Sequence, residues 1–174
     1  MCAAVAVSAG LLVAGCANRV DGTAAPNVAD VSAYKTEAAS SSAAATSSRK
    51  AAAEAKAISD NCGQFPGITG VGVSRYNEFV TAHDSNAPDY VPKRDGAADT
   101  LEDAANKVEA GVNQAAGALP GDLAAQLTEY VEAARALAGQ TRPMTYTAPV
   151  DALNGASQRV NNARNAVNTS CAGR

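Results

Sequence analysis

The chain has no tryptophan, and its two phenylalanines and five tyrosines bring aromatics to only 4% of 174 residues. So few large rings would poorly fill the layer about 10 Å thick between two packed sheets. The hydrophobic fraction is 47% and alanine dominates it; alanine adds little volume but lets helix backbones approach closely. Histidine is nearly absent too. His83 is the only one, so any Ser-His-Asp relay would have to use it with its neighbour Asp84, and no Gly-x-Ser-x-Gly elbow accompanies the pair. Basic excess is missing as well: the net charge of −3 argues against nucleic acid and against a polybasic contact with a membrane surface. No catalytic group, metal site or cofactor signature stands out, and the chain is expected to be non-enzymatic.

No apolar run reaches the roughly 20 residues that a spanning helix needs. Residues 3–14 are apolar except for Ser8, the length of a signal-peptide core. The run closes on Val13-Ala14-Gly15-Cys16, which resembles a bacterial lipobox. The resemblance implies that residues 1–15 form a lipoprotein signal peptide and that Gly15 is the last residue removed. Cys16 would become the diacylglyceryl-modified N-terminus, anchoring an extracytoplasmic protein to the cell membrane. Two acyl chains hold stably where one holds marginally. The chain departs from the pattern in having no Lys or Arg before the core, which points to a translation start further upstream.

On that reading, of four cysteines Cys2 leaves with the signal and Cys16 carries lipid, leaving Cys62 and Cys171. In an oxidising compartment these most simply pair with each other. Two free thiols, an intermolecular bridge or a metal are the alternatives.

Val20-Asp21-Gly22-Thr23-Ala24-Ala25-Pro26 resembles the Val-x-Gly-x-Ala-x-Pro stretch of mycobacterial and related actinobacterial lipoproteins. Together with the lipobox, this implies an actinobacterial cell-envelope lipoprotein of a class without assigned activity. Residues 16–47 are rich in Ala, Ser and Thr and read as a disordered tether after the lipidated cysteine. Residues 48–174 then form the folded domain.

Within that domain, 48–59 has high helix propensity, with Ser48 as cap, and leads into Cys62. The Gly- and Pro-punctuated stretch 63–72 reads as a flexible connector. Its order does not match a phosphate loop, since Gly-x-x-x-x-Gly-Lys-Ser/Thr is absent. Val73, Tyr76, Phe79 and Val80 recur at helical spacing, giving a short helix capped by Ser74 and ending near His83. Alternation of Val71 and Val73 makes a brief strand the competing expectation. Residues 84–96, with Pro88 and Pro92, read as a long exposed loop.

Three segments carry clear helical stripes. The first runs from Leu101 through Val108 to Leu119, with Thr100 and Asp103 as a capping pair and Gly117 near its stop. The second opens at Pro120, carries Leu123, Leu127, Tyr130, Val131 and Leu137, and is followed by Gly139. The third opens at Pro149 and carries Leu153, Val160, Ala163, Val167 and Cys171. Short connections favour antiparallel neighbours. The fold expected is therefore all-α: a small antiparallel bundle of three clear helices plus one or two shorter ones, closed by one disulfide behind a disordered tether.

Asp95, Asp99, Glu102 and Asp103 gather carboxylates that suit a helix N-terminus better than a cation, and Asp103 can pair with Lys107. The least ordinary feature is a run of carboxamides, Asn154, Gln158, Asn161, Asn165 and Asn168, stepping along one helical stripe beside Arg159 and Arg164. Amides both donate and accept, which suits sugar hydroxyls or a polar partner. The functional expectation is an anchored, non-catalytic interaction or structural module binding an envelope protein or cell-wall glycan. The alternative is a module holding a small apolar ligand, lipid or haem, between its helices.

Overall fold

A computed structural model of the chain describes residues 27–174. The expected signal peptide, the lipobox-like run with Cys16 and the Val20–Pro26 stretch lie outside the described residues. Four helices follow in order: α1 (Val28–Asp84), α2 (Tyr90–Gln114), α3 (Gly121–Thr141) and α4 (Asp151–Ala172). The described residues are otherwise turns and irregular connections, with no strand among them. Two units are distinguished, one ending at Ser41 and one spanning Ser42–Arg174.

Within the first unit, the described residues open α1, and every one of them is exposed. The tether expected over 16–47 is therefore helical from Val28 onward. Alanine is the best helix former, and the hydroxyls that usually compete with the helix bond back into it here. Thr36 donates to the Ser32 carbonyl, Ser41 to that of Glu37 and Thr46 to that of Ser42.

The second unit is the bundle. Residues 63–72 continue α1 without interruption, so neither the flexible connector nor the strand forms, and Ser48 and Ser74 lie inside the helix rather than at its start. Pro66 sits on the exposed side, where the carbonyl it leaves without a helical donor can meet water. The opposite side carries Phe65, Thr69, Gly72, Tyr76 and Phe79, all buried. Their spacing of four and three residues is the signature of a helix held by tertiary packing rather than by propensity. Phe65 meets the Tyr130 ring edge-on, with centroids 5.0 Å apart.

The loop expected over 84–96 is only the short connection after Asp84. Asn86 takes a left-handed φ of 50° there, and α2 begins at Tyr90, whose ring is buried against Phe79 and Tyr146. Thr100 and Asp103 consequently lie inside α2, and the Thr100 hydroxyl donates to the Gly96 carbonyl instead of capping. Gly117, with φ 80°, turns the chain into α3 as its position implied. Pro120 caps α3, whereas Gly139 lies within it. Leu123, Leu127, Tyr130, Val131, Ala134 and Leu137 are all buried, and so are Leu153, Val160, Ala163 and Val167 of α4. The architecture is a helical bundle whose core is small residues around a few large ones, closed by a Cys62–Cys171 disulfide.

Candidate functional site

Cys62 and Cys171 are bonded, with Cα atoms 5.6 Å apart across 109 residues of sequence. Cys62 lies inside α1 rather than ahead of the first bundle helix, so the bridge joins the middle of α1 to the last turn of α4.

His83 does not form a relay. Its Nδ1 lies 3.2 Å from Asp84 Oδ1, but its ring is packed among Phe79, Tyr90 and Tyr146. Its Nε2 is buried and bonded to nothing, as is the Tyr90 hydroxyl. Burial pushes the Tyr90 phenol above its ordinary range, with nearby Arg94 opposing. Tyr146 closes the cluster by donating its hydroxyl to the Ala87 carbonyl at 2.6 Å. The group ties the start of α2 and the α3–α4 connection to the end of α1.

The acidic cluster is answered by cations rather than by a helix terminus, because α2 starts eleven residues earlier than expected. Arg142 spans Asp99 at 2.8 Å and Glu102 at 2.5 Å, and Lys107 takes Asp103 at 2.6 Å as anticipated. Asp95 pairs with Arg94. Among the described residues no group of His, Cys, Asp and Glu is placed to hold a metal.

Asn154, Gln158, Asn161 and Asn165 are exposed along α4, and Asn168 is half-buried at the same stripe's end. No side-chain hydrogen bond within the bundle holds any of the five carboxamides, and the four exposed ones present their donors and acceptors to solvent. Arg159, beside them, is committed to α3: its guanidinium grips Glu129 at 2.7 Å and Glu132 at 3.2 Å. Those hydrogen bonds hold the Glu129 carboxyl below its ordinary range. Arg164 turns inward, with Nε buried and without an acceptor, near Tyr130.

A feature the sequence did not reveal is a groove of about 770 Å³ between α1, α2 and α3. Phe65, Val108 and Leu127 form its floor, and Lys56 and Lys107 stand on opposite walls. Asn61 braces it, donating to the Ala57 carbonyl at 2.9 Å and reaching across to that of Gly111 at 3.4 Å. The signal that would have found it is the persistence of the apolar spacing through 58–68, which glycine and proline masked.

Comparison with curated proteins and with solved structures gives no significant match. A family model does match, over residues 44–172, and its mycobacterial name agrees with the actinobacterial likeness of the N-terminal motifs. That span takes in the bundle from α1 through α4, and the chain belongs to the Rv2240c four-helix bundle domain family.

Proposed function

We propose that the chain is an extracytoplasmic lipoprotein, anchored at Cys16, whose disulfide-closed bundle is a non-catalytic interaction module for an envelope protein or a cell-wall glycan. The observation that carries the interaction role is the outward stripe of carboxamides on α4. Asparagine lowers helix stability relative to alanine, and here it gains no internal hydrogen bond in return. Five amides stepping along one face offer paired donors and acceptors at the spacing of a helix turn, a surface suited to hydroxyls or to the polar face of another protein. The Cys62–Cys171 bridge supports the compartment, since structural disulfides persist where thiols are not kept reduced. The packed ring of His83 supports a non-catalytic role.

The test is photo-crosslinking in intact cells of the full chain, with a benzophenone residue placed at Asn161 or, as a control, at Gln140 on the exposed side of α3. A discrete adduct from Asn161 to an envelope protein or glycan fragment, absent from the control, is expected, with the chain in the membrane fraction. Equal labelling at both positions, or a wild-type chain that fractionates away from membranes and keeps its first fifteen residues, would overturn the reading.

A further inference from the structure

Seven residues make close to two helix turns, so positions seven apart share a face. Along α1 that spacing links Cys62, Thr69 and Tyr76, and along α4 it links Ser157, Arg164 and Cys171. The outer members are joined across the seam, Cys62 to Cys171 by the disulfide and the Tyr76 hydroxyl to Ser157 by a hydrogen bond. The two helices are therefore antiparallel here, and the middle pair, Thr69 and Arg164, meets halfway between the two ties. Tyr130 of α3 completes the group. Its ring packs on Phe65, one turn before Thr69, and Arg164 lies near enough to its phenol to act on it electrostatically.

This meeting point has donors and no acceptor of opposite charge. Thr69 is fully buried, and its Oγ1 has no partner within the protein. Thr141, the other fully buried threonine, donates to the carbonyl four residues before it, as do Thr81, Thr100 and Thr128. Thr69 makes no such bond to Phe65, which leaves its hydroxyl free to donate across the seam. From the facing helix, Arg164 Nε is buried and equally without an acceptor. Of the half-buried cations among the described residues, Lys93 holds Asp89 and Arg94 holds Asp95, whereas Arg164 pairs with no carboxylate. The carboxylates of α3 that face α4 are already taken, Glu129 and Glu132 by Arg159 and Asp122 by Arg174. Gln126, whose Oε1 is buried without a donor, shares their stripe on the Arg159 side of α4, about 140° round that helix from Arg164. A guanidinium can only donate, and hydroxyls can turn their protons toward a shared acceptor. Burying a cation without a counter-charge is unfavourable until one arrives. Thr69 is wholly covered, so that counter-ion must be small, and half-buried Arg164 gives its way in.

We infer that a small monovalent inorganic anion of chloride's chemistry binds in the seam between α1 and α4, accepting hydrogen bonds from Arg164 Nε and the Thr69 hydroxyl. The site is apart from the carboxamide stripe and independent of the anchor at Cys16. Only the folded chain brings Thr69 and Arg164 together, so the ion stabilises the bundle by mass action.

The experiment is chloride NMR line broadening on the full chain, with ionic strength held constant by gluconate, which is too bulky for the site, and with bromide as competitor. Saturable broadening that bromide suppresses is expected, roughly tenfold weaker in R164M and several-fold weaker in T69V, with helical circular dichroism unchanged. Lys50 is exposed on α1 and pairs with no carboxylate, so K50M should bind as the parent does. The urea midpoint should rise with chloride in the parent and stay fixed in R164M. Bromide-soaked crystals of the parent, which require no variant to fold, should show anomalous density between Thr69 Oγ1 and Arg164 Nε. The inference is overturned if broadening does not saturate, if R164M or T69V binds as the parent does, if K50M loses as much as R164M, or if the crystals hold only water between the two side chains.

Discussion

Pro66 has no N–H to offer the carbonyl of Cys62, the residue four positions before it, and Cys62 is the residue that is bonded to Cys171. The turn of α1 in which proline deletes a backbone hydrogen bond is thus the one fastened covalently to the end of α4. A proline in a helix interior costs about 3 kcal/mol or more when nothing compensates. Here the exposed position of the ring and the bridge one turn earlier confine the defect.

Cutting that bridge should therefore be felt globally and locally. In the loop-entropy picture a closure of this length restricts the unfolded chain by an amount on the order of 4 to 5 kcal/mol, and removal of native bridges from small exported domains costs about 2–5 kcal/mol. The C62S/C171S chain is expected to lose stability in that range in urea titrations. Amide exchange should accelerate first over residues 62–70. Uniform acceleration across all four helices would show that the bridge does not brace the proline turn in particular.

Tyr130 gives the fold a pH dependence on the alkaline side. Burial pushes its phenol up to about 12, with Arg164 opposing, from an ordinary value near 10. The folded state therefore keeps its proton when the unfolded state has begun to lose it. Stability is undiminished below pH 10, falls as pH rises from 10 toward 12, and levels off above 12. Two pKa units correspond to a loss of about 2 to 3 kcal/mol by the top of that window. Burial raises Tyr76 and Tyr90 in the same direction. Urea titrations at pH 8, 10 and 11.5 should show the decline in the parent chain and a shallower one in Y130F. Identical slopes would remove Tyr130 as the cause.

The parts of the fold legible in the sequence are those in which local and tertiary signals agree. The stripe from Leu123 to Leu137 and the one from Leu153 to Val167 are apolar at helical spacing, opened by prolines, and both lie in the core. Pairing of Cys62 with Cys171 followed from counting cysteines once the lipobox resemblance had assigned the other two. Where local signals oppose packing, the packing prevails. Gly63, Pro66, Gly67 and Gly70 spell a loop, yet Phe65 against Tyr130 and the buried Thr69 hold the segment helical. Pro92 marked a loop although Pro is at home in the first turn of a helix, where it lies in α2. The groove was hidden for the same reason, because one of its walls is the stretch of α1 that looked like a connector. The amide stripe needed only the helix period and was visible at once.

Ala116 offers a separate check on the turn between α2 and α3. It is exposed and adopts a left-handed φ of 47°, next to Gly117 at 80°. A β-carbon in that region costs roughly 1–2 kcal/mol, which glycine avoids while losing more freedom on folding. A116G should therefore stabilise the chain by about 0.5 kcal/mol, a small upward shift in the urea midpoint with unchanged slope. G117A, at the neighbouring position, should destabilise by about 1 kcal/mol. A destabilised A116G would show that the turn relaxes to an ordinary conformation in solution.

The α4 stripe separates stability from recognition in a single pair of substitutions. Asn161 and Asn165 are exposed, one turn apart, and no side-chain bond ties their amides to the bundle. Alanine at both positions should improve helix propensity by roughly 0.5 kcal/mol each, raising the melting temperature by a few degrees. If the stripe is there to meet a partner, N161A/N165A gives a chain that is more stable yet loses crosslinking from a reporter placed at Gln158. A gain in stability with crosslinking intact would assign the stripe no role in recognition. A loss of stability would mean that these amides bond within the bundle after all. The direction of the stability change is therefore read before the binding result, because a chain that binds less only because it folds less says nothing about the surface it presents.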